Sequence, residues 1–366
     1  MTQGLLESDD RVLVTGGAGY VGAHLVPMLL GRGYRVRVLD CFLYGRQGLV
    51  GCWGHPRLEV FCGDICNIRD LIRAAKGTKA VVALAALVGD AACELDHDET
   101  LAINIESTKL LCQVVKLEPS VERVVFASSC SVYGANEGLV LNEGSALNPV
   151  SFYARSRVLS EGILRRELED KSVVTLRLGT VFGPSQRLRF DLMINTMTCR
   201  AIKDGEITVS GGAAWRPHVH VRDVATAFLA ATEAHSNVVD GEIFNVGANQ
   251  NNFTVSETAE LVASIIPDTV ITNVNECADL RSYRVSFDKI EHLLGFKPRY
   301  TVEHGIEELK TLLAGGDLDW KDPRYSNLAF LERFGFVRGN SLSQPVVEPE
   351  SGGAGTPEQC DDDPID

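Results

Sequence analysis

Tyr153 and Arg157 stand four residues apart in a stretch, Phe152–Glu169, whose pattern predicts a helix, so the two side chains share one face. A phenol with a pKa near ~10 is a poor base at neutral pH unless a nearby cation stabilises the tyrosinate. Proton transfer at a hydroxyl is the chemistry such a pair can do. Near the start of the chain, Val12-Leu13-Val14-Thr15 runs into Gly16-Gly17-Ala18-Gly19-Tyr20-Val21-Gly22. Glycines at this spacing let the backbone turn sharply and approach a pyrophosphate, which then rests on a helix N-terminus. Asp40, about 20 residues on, ends the next apolar run, where a carboxylate can accept hydrogen bonds from ribose hydroxyls. It would repel a 2′-phosphate, which favours NAD, while Arg35, Arg37 and Arg46 nearby keep NADP open. Asp64, in Gly63-Asp64-Ile65, ends a third such run and can meet an adenine, or can simply be a solvated acid at a strand end.

These residues need a scaffold that holds them at one edge. Arg11–Gly16, Arg35–Asp40, Leu58–Asp64, Ala80–Ala86, Arg123–Ser129 and Val173–Gly179 read as strands, mostly continuous apolar runs of the kind covered by helices on both faces. Helical patterns at about Gly19–Gly31, Ile68–Lys76, Asp98–Leu117 and Phe152–Glu169 lie between them. This rhythm predicts an α/β fold with a doubly wound parallel Rossmann sheet. After Gly179 the pattern loosens around Gly183-Pro184, Gly211-Gly212 and Asn249–Asn252, although Val221–Glu233 still reads as a helix and Glu242–Gly247 as a strand. The expected division is a Rossmann domain over 1–179 with returning segments at about 218–247. A smaller, interleaved substrate-binding region takes 180–217 and 248–343, and an acidic tail over 344–366 is expected to be disordered.

Composition narrows the function classes. The 366 residues carry a net charge of −14, which argues against a nucleic-acid partner. Ten cysteines without paired CxxC spacing read as reduced thiols, with neither a disulfide framework nor a metal site. No window reaches the ~18 apolar residues of a membrane span and no signal peptide is evident, so the cytoplasm is the default expectation.

Taken together, these motifs resemble the extended short-chain dehydrogenase/reductase family, specifically its nucleotide-sugar epimerases and dehydratases. The resemblance rests on Thr15 to Gly22, Gly63-Asp64-Ile65, Leu84-Ala85-Ala86, Ser128 to Gly134, and Tyr153 after Asn148-Pro149. Arg177 to Pro184, Arg216 to Val224 and Phe244-Asn245-Val246-Gly247 extend it, so that it covers roughly Arg11 to Leu313.

The resemblance implies that Tyr153 is the acid/base and that Ser129 hydrogen-bonds the reacting oxygen. Gly16, Gly19, Tyr20, Val21, Gly22, Asp40, Asp64, Ile65, Leu84, Ala85, Ala86, Tyr153 and Arg157 would hold NAD. It places Arg216 and Arg281 on the diphosphate of a nucleotide sugar, with Ser129, Cys130, Thr180, Arg189 and Asn195 also near substrate. Arg187 falls in the same capping segment, His218 and His220 read as strand residues leading into Asp223, and Asn104 reads as structural.

Arg157 departs from the family, which carries Lys four residues after the Tyr. Arginine keeps the charge but is bulkier and planar, so it can do the lysine's job, run the site differently, or mark lost catalysis. Cys130 and Ser131 stand where related 4,6-dehydratases hold Asp and Glu. Cys130 itself reads either as functional or as a small packing residue. The implied activity is therefore an NAD-dependent nucleotide-sugar epimerase passing through a keto sugar. Alternatives are a 4-ketoreductase of a nucleotide-linked deoxysugar and an NAD-binding regulatory protein with a degraded site. Dimer contacts would form through Asp98–Leu117 and Phe152–Glu169.

Overall fold

The computed structural model describes residues 6–274, 281–315 and 318–336. The tail expected over 344–366 lies outside the described residues. The strands are β1 (Arg11–Thr15), β2 (Arg35–Asp40), β3 (Leu58–Cys62), β4 (Ala80–Ala83), β5 (Arg123–Ser129), β6 (Ala135–Leu141) and β7 (Ser172–Leu178). They continue as β8 (Thr180–Phe182), β9 (Glu206–Ser210), β10 (Trp215–His220), β11 (Ile243–Val246), β12 (Asn252–Thr254), β13 (Val270–Val274) and β14 (Ser282–Val285).

Seven strands form one parallel sheet in the order β11-β7-β5-β4-β1-β2-β3. The alternation of side chains along β1 explains why its apolar run is continuous. Val12 and Val14 enter the core on one face, with Leu25, Val38, Val82 and Phe228, and Leu13 enters the other, with Leu71, Val124 and Leu164. Each buried Val or Leu of this kind stabilises the fold by roughly 1.5–3 kcal/mol relative to exposure. The order reverses between β1 and β4, and in such sheets the crevice beyond the strands' carboxyl ends at that reversal is where ligands bind.

After β7 the chain leaves this sheet, returns with the helix Val221–Glu233 packed on the helix Gly22–Gly31 and with β11, and leaves again. The excursions build a three-stranded sheet, β12-β10-β8, and two strand pairs, β13-β9 and β14-β6. Phe182, Ile194, Ile207, Val262, Ile306 and Leu309 form a separate apolar cluster there.

Several strands end earlier than their apolar runs suggest. The first stops at Thr15, the third at Cys62 and the fourth at Ala83, because the residues that follow turn out to wall a cavity. The stretch Asp98–Leu117 is also not one α-helix. It is His97–Leu101, a π-helical turn at Ala102–Glu106, and Ser107–Leu117. The wide turn presents Asn104, whose amide takes the Leu87 N–H (2.9 Å) and donates to the Leu87 carbonyl (3.0 Å). A side chain thus pairs with the backbone just beyond β4 and fixes the edge where that strand leaves the sheet.

Candidate active site

A cavity of about 360 Å³ lies over the carboxyl ends of β1, β4 and β5. Gly16, Gly19, Tyr20, Val21, Gly22, Asp40, Asp64, Ile65, Leu84, Ala85, Ala86, Ser129, Tyr153, Arg157, Thr180 and Arg189 all line it. The glycine turn is a cradle that side chains would fill. Gly16 has φ +72°, and a Cβ there would stand 2.8 Å from the Ala85 backbone. A Cβ on Gly22 would stand 2.4 Å from the Gly17 carbonyl oxygen. Both positions therefore exclude other residues, and the turn leads into the N-terminus of the helix Gly22–Gly31.

Asp40 ends β2 inside this cavity. One carboxylate oxygen accepts the Ala18 N–H at 2.9 Å and the other accepts the Phe42 N–H at 2.8 Å. Burial raises its pKa, and the two backbone bonds oppose that rise. Each oxygen retains acceptor capacity for a ribose hydroxyl. The arginines that kept NADP open do not line the cavity. Arg35 pairs with Asp9 at 2.9 Å, and Arg37 pairs with Glu59 at 2.7 Å and donates to the Ala74 and Lys76 carbonyls. Arg46 lies over the rings of Phe42 and Trp53.

The helix Phe152–Glu167 carries the proton-transfer candidates. Its N-cap is Ser151, whose hydroxyl accepts the Ala154 N–H at 3.1 Å. Tyr153, Arg157 and Glu161 then follow at one-turn intervals on the inward face. Glu161 anchors that face from within, binding Arg177 at 2.7 Å and accepting from Ser128. Arg157 is buried, donates weakly to the Ala127 carbonyl (3.4 Å), and leaves its Nε without a partner. Burial raises the pKa of Tyr153, whereas the Arg157 charge and hydrogen bonding with Ser129 lower it. Burial lowers that of Arg157, and the Tyr153 phenol opposes this. This is the cation-beside-phenol arrangement that allows a tyrosine to exchange protons with a hydroxyl.

Four of the sequence candidates fall elsewhere. The buried Cys130 thiol donates to the Arg177 carbonyl at 3.3 Å behind β5, and burial pushes its pKa far up. It packs where the main sheet needs a small side chain and does not reach the cavity. Asn195 is buried behind the wall, where it accepts the Gly183 N–H (2.9 Å) and donates to the Arg189 carbonyl (2.8 Å). It shapes the segment 183–189 and does not line the site. Arg216 donates to the backbone carbonyls of Trp215 and Arg281, and Arg281 pairs with Asp90, next to the cavity wall at Gly89. The two arginines are thus neighbours outside the cavity lining, linked through a main-chain oxygen. His218 and His220 are buried in β10, as their strand context suggests.

The cavity also has walls that the sequence reading did not identify. Tyr44, Leu87, Val88, Ile103, Arg187, Asn327 and Phe336 are among them. Of these, only Arg187 carried a signal, as a cation in the capping segment.

The geometry belongs to the class of Rossmann-type enzymes that work on a bound dinucleotide. A family model described as the NAD dependent epimerase/dehydratase family matches residues 12–247, and the chain belongs to that family. NAD is accordingly its cofactor, in keeping with the glycine cradle and Asp40. The chain is similar to UDP-glucose 4-epimerase from Mycolicibacterium smegmatis, at 28% identity over 305 residues, covering 81% of this chain and 96% of the relative. Among solved structures it is similar to a dTDP-glucose 4,6-dehydratase from Streptomyces venezuelae with NAD bound. That match has a TM-score of 0.74 and 26% identity, covering 86% of this chain and 99% of the other. UDP-glucuronic acid 4-epimerase from Bacillus cereus shares the fold, with a TM-score of 0.74 at 24% identity over 82% of this chain and 99% of the other.

Proposed function

We propose that this chain is an NAD-dependent nucleotide-sugar epimerase acting through a transient keto sugar. The observation that carries the reading is the make-up of the cavity around Tyr153. Among the described residues, the carboxylates lining the cavity are Asp40 and Asp64, which belong to the glycine-turn side. Cys130 and Ser131 occupy the positions after Ser129 and are buried outside the cavity lining, so those two positions supply no acid/base pair for water elimination. Proton removal and return at one hydroxyl is the chemistry left to this wall.

Tyr153 takes the proton from the sugar hydroxyl and later gives it back, with Ser129 hydrogen-bonding the same oxygen. Arg157 supplies the positive charge that favours the phenolate, and this cavity-lining guanidinium has an unpartnered Nε available to a ribose hydroxyl. Bound NAD supplies the hydride acceptor and donor. Thr180 and Arg189 border the sugar, and Arg216 with Arg281, the latter paired with Asp90, lies beside the cavity wall at Gly89 on the side where a diphosphate would sit. Exposed Leu101, Leu117 and Leu159 on the flanking helices favour a homodimer formed through those faces.

The test is purification followed by cofactor analysis. NAD should copurify and survive turnover without net change. Net consumption of NADH with a keto-sugar substrate would instead mark a ketoreductase. A protein that binds NAD but turns over no nucleotide sugar would mark a regulatory role.

A further inference from the structure

The cavity wall beside the glycine turn contains a buried cation without a carboxylate of its own. The segment 183–189 is fastened to the start of the helix Gly22–Gly31. The Tyr20 hydroxyl donates to the Gly183 carbonyl, the Ser185 hydroxyl donates to the Tyr20 carbonyl at 2.9 Å, and His24 meets the Pro184 carbonyl at 3.1 Å. This carries Arg187 and Arg189 over the cavity. Arg189 is satisfied by a two-pronged pair with Asp191, at 2.9 and 2.8 Å. Arg187 differs. It is 4% exposed, its Nη2 donates to the neutral amide oxygen of Asn327 at 2.6 Å, and its Nη1 is buried without a partner.

The C-terminal helix Asn327–Phe334, beyond the family-matched residues, holds this arrangement. Asn327 donates to the Val88 carbonyl (3.3 Å) and its backbone N–H goes to Asp191 (3.0 Å). Phe330 packs edge-on to Tyr44, over whose ring the Arg187 guanidinium lies at 4.3 Å. The Tyr44 hydroxyl is a second buried group without a partner in the same cavity. Two cations and one carboxylate leave one positive charge for a ligand. Burial, with the neighbouring Arg189, lowers Arg187 to about 10, so it is charged at neutral pH.

We propose that Arg187 and Tyr44, braced by Asn327, form a second grip on the dinucleotide pyrophosphate in addition to the glycine turn. The idea rests on NAD occupying this cavity. A buried guanidinium with a free N–H donor and a phenol suit phosphate oxygens, which accept paired, charge-assisted hydrogen bonds. Binding would also relieve the cost of burying Arg187 unpaired.

The test is calorimetric titration of the apoprotein with ADP-ribose, with adenosine as the phosphate-free probe and UDP as the substrate-side probe. Arg187→Met should weaken ADP-ribose about 10- to 100-fold, the range for a lost charge-assisted hydrogen bond, and leave adenosine and UDP unchanged. Its apo unfolding midpoint should be unchanged or higher, because an unpaired buried charge is removed. Should that variant fail to fold, Tyr44→Phe and Asn327→Ala test the same grip and should each weaken ADP-ribose several-fold. Wild type failing to bind ADP-ribose would overturn the dinucleotide reading of the cavity. Wild type binding it normally while all variants match wild type overturns the grip alone. A loss for UDP with ADP-ribose unchanged also overturns it, because the arginine would then serve the substrate's phosphates.

Discussion

The Arg157 guanidinium lies 5.6 Å from the centre of the Tyr153 ring, one helical turn further along Phe152–Glu167. A fixed charge is thereby held against a half-buried phenol. This contact decides whether Tyr153 can act as a base, because burial alone works against the phenolate.

Arg157→Leu should therefore move the ascending, low-pH limb of the pH–rate profile to higher pH. Tyr153 must lose a proton to act, and removing the cation raises its pKa further, so less phenolate exists at neutral pH. Turnover at pH 7 should fall about 100-fold, within the usual range for lost acid–base catalysis. Arg157→Lys should retain the limb, since it keeps the charge. A profile unmoved by Arg157→Leu would show that the charge does not act on Tyr153.

Tyr153→Phe keeps the ring and removes the hydroxyl. Turnover should drop about 10²- to 10⁴-fold, with NAD binding measured by fluorescence quenching little changed. A variant retaining a tenth of the activity would remove Tyr153 from the acid/base role.

Asp40 holds the Ala18 and Phe42 backbone and faces the cavity. Asp40→Ala should weaken NAD by about 10-fold or more and narrow its advantage over NADP, since a repelling carboxylate is gone. Competition titration with both dinucleotides reads the effect, and an unchanged preference would contradict it.

His218 is fully buried, with Nε2 3.3 Å from the Thr258 hydroxyl and Nδ1 without a partner. Burial depresses its pKa to about 3. The unfolded chain, with an ordinary value near ~6.5, therefore takes up the proton first as pH falls. Its contribution to stability is complete above that value and declines towards pH 3, by about 1.4 kcal/mol per pH unit. Urea midpoints at pH 7 and pH 5 should fall less for His218→Gln than for wild type. Equal losses would place the acid sensitivity elsewhere.

Much of this site was legible because its positions follow from local rules. The strands of the main sheet announce themselves as continuous apolar runs, since both faces are covered. The glycine turn, Asp40, Asp64, Ser129, Tyr153 and Arg157 sit at strand ends or on one helix face, which spacing predicts. The π-helical turn at Ala102–Glu106 was not legible, because an inserted residue leaves the overall apolar pattern looking helical. Asn327 was not legible either, since it meets Arg187 across 140 residues of chain and only tertiary packing joins them. Cys130 directly follows the wall residue Ser129, and Asn195 lies three residues after the wall residue Leu192, yet the 3-10 turn Cys130–Tyr133 and the helix Met193–Lys203 turn them behind the wall.

The most direct measurement follows the sugar ring by NMR while the purified protein is incubated with a panel of UDP-, dTDP-, GDP- and CDP-sugars, with and without added NAD. At least one sugar should be converted to an equilibrium mixture with its epimer, with no net change in NAD or NADH. Conversion only with stoichiometric use of NADH, or no conversion of any member of the panel, would contradict it.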